Sequence, residues 1–127
     1  MENEFANLNW LAVIVGTVLA FLLGMLWFSP KMFGKAWSKG MNDLQPPASA
    51  PVMAMILQLI GTFALALVIG LTATQDMLIT AILAILATAI IQAGNGLFKQ
   101  NAGSTVTIDA GYTIAMGVIM IIAQGIF

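Results

Sequence analysis

The sequence predicts an all-α integral membrane protein: four transmembrane helices, with one short amphipathic interfacial helix between spans one and two. Three observations carry this. Charged residues make up 7% of the chain and hydrophobic ones 61%, with a mean hydropathy of +1.01, whereas soluble domains carry about 25% charged residues. The apolar residues gather into runs of about 18 to 21, the length a helix needs to cross about 30 Å of hydrocarbon. Those runs hold too few polar positions to present a wet face, which excludes the buried helices of a soluble bundle. A single domain, residues 1–127, accommodates all four.

The same composition narrows the function. Four lysines and arginines against five acidic residues leave a net charge of −1, so no basic surface exists to hold nucleic acid. The absence of Cys and His removes disulfides, thiolate nucleophiles, imidazole bases and the commonest metal and haem ligands. No cofactor and no metal is expected, and the chain is not expected to be an enzyme: it has no nucleophile motif and no paired acids within a span.

In chain order, residues 1–9 form a polar tail with Glu2 and Glu4, and span one runs over 10–28. Its apolar run is long and lacks a positive leader, so it reads as a permanent span, not a cleaved signal. Ser29 and Pro30 then look like an N-cap and first helical residue, opening an interfacial helix over about 30–41. Lys31, Lys35 and Lys39 recur every fourth residue on one face, with Met32, Phe33, Ala36 and Trp37 on the other. Such a helix lies in the interface, basic face toward anionic headgroups and aromatic face in the acyl boundary. Trp27, Lys31, Phe33, Lys35, Trp37 and Lys39 are the expected lipid-interface residues.

This stretch also carries a resemblance. Asn9-Trp10 at the start of span one, and the W-x-S-P-x-x-F-G-x-x-W pattern of Trp27, Ser29, Pro30, Phe33, Gly34 and Trp37, resemble the small bacterial membrane proteins catalogued as domain of unknown function 1761. The resemblance extends over the whole chain in length and hydropathy, with specific motifs only in the first third. It implies the four-span architecture and carries no activity with it.

Residues 42–51 contain Pro46, Pro47 and Pro51, which impose an extended path before span two at 52–71. The connection to span three, at 77–97, is short. It predicts a tight antiparallel hairpin in which Asp76 caps span three. Span four covers 108–127. Lys31, Lys35, Lys39 and Lys99 all fall at one end of such a bundle, while Glu2, Glu4 and Asp76 fall at the other. The positive-inside rule then puts both termini outside and the lysine-bearing connections in the cytoplasm, in a bacterial inner membrane.

Small residues are spaced for helix contact: Gly16, Ala20 and Gly24 in span one, and Ala54, Gln58, Thr62, Ala66 and Gly70 in span two. They serve either packing within one bundle or a dimer seam. The nine methionines are scattered and read as filler.

Polar residues inside the spans are the informative ones. Thr88, Gln92, Asn95 and Lys99 form one stripe along span three, with Gly94 and Gly96 loosening the helix beside Asn95. Asp109, Tyr112 and Thr113 begin span four at the same depth, and Gln58 of span two lies near that level. The candidate binding cluster is therefore Gln58, Gln92, Asn95, Lys99, Asp109, Tyr112 and Thr113. One reading is packing alone, with a Lys99–Asp109 ion pair and amides bonding helix to helix. The other is a cavity open to the cytoplasm, with Asp109 titrating or binding a cation and the amides and Tyr112 holding a small polar solute.

Two functions follow. One is a small homo-oligomeric transporter or channel for a small solute or ion, since four short helices enclose no wide pathway alone. The other is a membrane scaffold or accessory subunit acting through helix and headgroup contacts.

Overall fold

The computed structural model describes residues 2–42, 44 and 51–127. After one turn of 3-10 helix at Glu2–Phe5 come α1 (Trp10–Trp27), α2 (Gly34–Lys39), α3 (Val52–Thr74), α4 (Leu78–Phe98) and α5 (Gly103–Ile126), with no strand among the described residues. Helices α1, α3, α4 and α5 are each long and apolar enough to cross a membrane. The prolines expected to extend the second connection, Pro46 and Pro47, lie outside the described residues.

Helix boundaries follow from how the free backbone groups at each end are satisfied. Helix α1 starts at Trp10 because the Asn9 side chain accepts the Ala12 N–H at 3.1 Å. Helices α3 and α4 both end on a residue in the left-handed region, Asp76 at φ 53° and Gln100 at φ 62°. In each, the following N–H reaches back to an orphan carbonyl, Met77 to Thr72 at 2.9 Å and Asn101 to Gly96 at 3.1 Å, the Schellman closure. This corrects the expected role of Asp76. The N-cap position of α4 is Met77, which makes no side-chain cap bond, because the short connection uses Asp76 to close α3 instead.

The interfacial helix is also shorter than expected. Ser29 does not cap it: its hydroxyl donates back to the Leu26 carbonyl at 2.7 Å, where α1 has unpaired acceptors. Residues 28–33 make turns, in which the Ser29 carbonyl accepts the N–H groups of Met32 at 3.0 Å and Gly34 at 2.9 Å. Helix α2 therefore begins at Gly34 rather than near Pro30.

Helix α5 is the centre of the bundle. Its most extensive contacts are with α1 and α4, and α1 in turn packs on α3. The chain-adjacent pair α3 and α4 meets far less extensively than α4 meets α5, so the hairpin expected of spans two and three is close in sequence but loose in packing. Small residues explain the choice of partners. A Cβ on Gly16 would lie 3.5 Å from the Met120 backbone, and one on Gly117 would lie 2.5 Å from the Ile85 side chain. Ala20, one turn beyond Gly16 in α1, is fully buried. The span-one stripe thus seats α1 on α5 within one chain.

In α3 only the later part of the stripe is used. Thr62, Ala66 and Gly70 are buried, while residues 51–61 are all exposed. Helix α3 packs through the half far from the lysines and leaves a cleft against α1 and α5 at the lysine-bearing end.

Candidate functional site

The cleft is a cavity of about 480 Å³, within the usual size of small-molecule sites. Helix α1 supplies Phe21, Gly24 and Met25, with Phe28 just past its end, α3 supplies Ala54, Met55 and Gln58, α4 supplies Gln92, α5 supplies Asp109 and Tyr112, and α2 adds Trp37. Most of this lining is apolar or aromatic. Its polar groups, Gln58, Gln92, Asp109 and Tyr112, come from three different helices.

Three of those groups, Tyr112, Gln92 and Asp109, are held by hydrogen bonds. Tyr112 is buried and donates its hydroxyl to the Ala20 carbonyl at 2.8 Å, a reach that depends on Gly24, where a Cβ would lie 2.7 Å from the hydroxyl oxygen. The Gln58 amide neighbours the same hydroxyl. Gln92 accepts the Thr113 hydroxyl through Oε1, which fixes the direction of its amide. Asp109 Oδ1 accepts the Trp37 ring N–H at 2.8 Å. A hydrogen bond to a carboxylate of this kind is stronger than a neutral one.

Trp37 reaches Asp109 because residues 27–40 fold back over the start of α5. The Trp27 ring N–H donates to the Ile108 carbonyl at 3.1 Å. Thr105 donates to the Trp37 carbonyl at 2.7 Å, and the Ala102 N–H donates to the Gly40 carbonyl at 2.8 Å. The rings interlock: Trp27 with Phe33 at 4.8 Å, Phe28 edge-on to Trp37 at 5.0 Å, and Phe28 edge-on to Tyr112 at 5.3 Å, inside the range of favourable aromatic pairs. Two glycines permit the fold-back. A Cβ on Gly34 would collide with the Phe28 carbonyl, and one on Gly40 with the Thr105 side chain. The W-x-S-P-x-x-F-G-x-x-W pattern therefore has a physical basis: two indole donors latched to α5, a serine closing α1, and a glycine where the backbone doubles on itself.

The structure divides the sequence-derived cluster. Gln58, Gln92, Asp109 and Tyr112 line the cavity, and Thr113 is buried behind Gln92. Asn95 and Lys99 are exposed and do not line it. Thr88 is exposed too, its hydroxyl returned to the Ala84 carbonyl at 2.8 Å. The buried face of α4 runs through Ala81, Ile85, Ala89 and Gly96, so the polar stripe lies along its flank and only Gln92 turns inward. The direct partner of Asp109 is the Trp37 indole, with Lys99 acting on it only through space.

Of the expected interface residues, Lys31, Phe33, Lys35 and Lys39 are exposed, while Trp27 and Trp37 are half-buried and turn their N–H groups onto α5. Trp37 is the site residue that sequence reasoning missed. Its signal was present in the paired tryptophans ten residues apart, which an interfacial reading absorbed as lipid anchors.

No curated protein and no solved structure matches the chain. Over residues 11–125 it matches the family described as "Protein of unknown function (DUF1761)". With all but its two ends covered by that match, and with four helices fit to cross a membrane, the chain belongs to the DUF1761 family.

Proposed function

We propose that the protein handles a small solute or ion at the cleft between α1, α3 and α5, as a small homo-oligomeric transporter or channel. One observation supports this above the others: a carboxylate, two amides and a phenol from three helices converge on a cavity that α3 leaves open. Bundle packing alone would favour closing such a gap, since a charged side chain within a span is costly unless it is paired or wet, about 2.5–3.5 kcal/mol at the bilayer centre and less toward the interface, where Asp109 lies. Among the described residues the hydrogen bond to the Asp109 carboxylate is made at Oδ1, from Trp37, and water or a solute in the cavity satisfies the other carboxylate oxygen.

The exposed Lys31, Lys35 and Lys39 favour anionic headgroups at this end of the bundle. With all four lysines there, the positive-inside rule orients the cleft to the cytoplasm and both termini outside, in a bacterial inner membrane. A homo-oligomer supplies the remaining wall of a pathway that four helices cannot enclose.

Single-cysteine variants test whether the cavity is wet, because the natural chain has no cysteine. In membrane vesicles with the lysine-bearing end outward, a membrane-impermeant maleimide should label Gln58→Cys and Gln92→Cys nearly as fast as the exposed Lys39→Cys. Val18→Cys, which faces outward from the middle of α1, should stay unlabelled. Protection of both Gln58→Cys and Gln92→Cys would refute an open site and leave packing as the role of these polar groups.

A further inference from the structure

The chemistry of the lining selects among solutes. We infer that the cavity takes a lipophilic organic cation, its charge beside Asp109 and its apolar body against Phe28, Trp37 and Tyr112; this rests on the reading of the cleft as an open binding site. Asp109 is the one charged residue among the described lining residues, so an anionic solute meets repulsion with no cation in that lining to pair with it. Lys99 is outside the lining.

A neutral polyhydroxyl solute is equally poorly matched. Its many hydroxyls need many partners. Two of the polar groups here are already engaged: Tyr112 donates to Ala20, and Gln92 accepts from Thr113. A bare metal ion fares no better. No group of three or more acidic, histidine or cysteine side chains stands ready to hold one among the described residues, and hard cations need six or more oxygens.

A delocalised cation fits what remains. Aromatic faces attract cations within about 6 Å of the ring centroid. The Phe28 ring lies edge-on to those of Trp37 and Tyr112, with centroids 5.0 and 5.3 Å away, and all three residues line the cavity together with the carboxylate. The Trp37 N–H holds Asp109 Oδ1 and thereby positions the charge without neutralising it. Met25 and Met55 add polarisable walls that adapt to varied apolar shapes.

The probe is tetraphenylphosphonium, with tetraphenylborate as its anionic counterpart of the same shape, binding to the purified chain in detergent followed by equilibrium dialysis. Saturable binding of the phosphonium and none of the borate is expected. Asp109→Asn keeps the acceptor for Trp37 and removes only the charge, so it should fold and bind about tenfold or more weakly, a loss of at least about one decade in Kd. Asp109→Glu should restore most of the affinity, and Asp76→Asn, at the opposite end of the bundle, should bind as the natural chain does. Equal binding of both probes, or Asp109→Asn binding undiminished, overturns the inference. If the phosphonium fails to bind while Gln58→Cys and Gln92→Cys label, the cavity is wet but made for another ligand; if neither occurs, the open-site reading falls with it.

Discussion

Gly34 is where the backbone permits least, and Gly34→Ala is the sharpest test of the fold-back over α5. The added methyl would collide with the Phe28 carbonyl and lie 2.8 Å from both the carbonyl carbon and oxygen of Ser29. These are backbone atoms, so no rotamer change relieves the contact, and residues 28–34 must move as a unit. That movement stretches two hydrogen bonds, Phe33 N–H to the Trp27 carbonyl at 3.1 Å and Gly34 N–H to the Ser29 carbonyl at 2.9 Å. Each contributes about 0.5–1.5 kcal/mol. Overpacking of this kind adds about 1–3 kcal/mol, so a total loss of about 2–6 kcal/mol is expected, the upper end applying if both hydrogen bonds are lost outright. The same chemical change at Gly61, mid-helix in α3 with nothing within 4 Å of the new Cβ, should instead be neutral or stabilise by up to about 1 kcal/mol through helix propensity. Thermal unfolding in detergent, followed by tryptophan fluorescence, reads both. Gly34→Ala should melt several degrees lower and Gly61→Ala at or above the natural midpoint, taking about 4 °C per kcal/mol as the scale for a chain of this size. A Gly34→Ala protein that melts with the natural one would refute the argument that this glycine is required by backbone contact.

Two further outcomes follow from bonds already described. Tyr112→Phe removes the hydroxyl that joins α5 to the Ala20 carbonyl of α1 at 2.8 Å; a loss of about 0.5–1.5 kcal/mol is expected, measured by the same melt, with no change taken as evidence against that bond. Gln100→Gly should stabilise by about 0.5–1 kcal/mol, because Gln100 holds φ 62° at the end of α4 and glycine adopts that conformation without the Cβ penalty. A lower melting point for Gln100→Gly would show that its side chain contributes more than its backbone conformation costs.

The spans were legible because hydropathy over about twenty residues is a sum, insensitive to how each helix is rotated. The sequence-derived start of span one meets the structure at Trp10, where Asn9 caps the helix. Rotation was not legible. In a soluble helix the polar face points to water and fixes the azimuth, but here lipid and core are both apolar, and the stripe of Thr88, Gln92, Asn95 and Lys99 shows no sign of which way it turns. Only the close seat of Ile85 on Gly117 rotates α4 so that Gln92 reaches Thr113 while Asn95 and Lys99 face outward.

The short basic helix between spans one and two is present, but its start was misjudged for a related reason. Serine before proline has a strong local tendency to open a helix, yet the unpaired carbonyls at the end of α1 competed for the Ser29 hydroxyl and won. Tryptophan at a span end is an interfacial anchor by general rule, yet Trp37 donates to a carboxylate 72 positions away in sequence, which no local pattern reveals.

Sequence alone determined that the chain is a four-helix membrane protein and that its lysines gather at one end, because both properties depend on composition along the chain. Tertiary structure alone decided that α5 is the centre, that α3 leans away to leave the cleft, and that Trp37 rather than Lys99 is the partner of Asp109. Those depend on which small residues let which backbones approach, a matter of a few ångströms between helices that one-dimensional hydropathy does not contain.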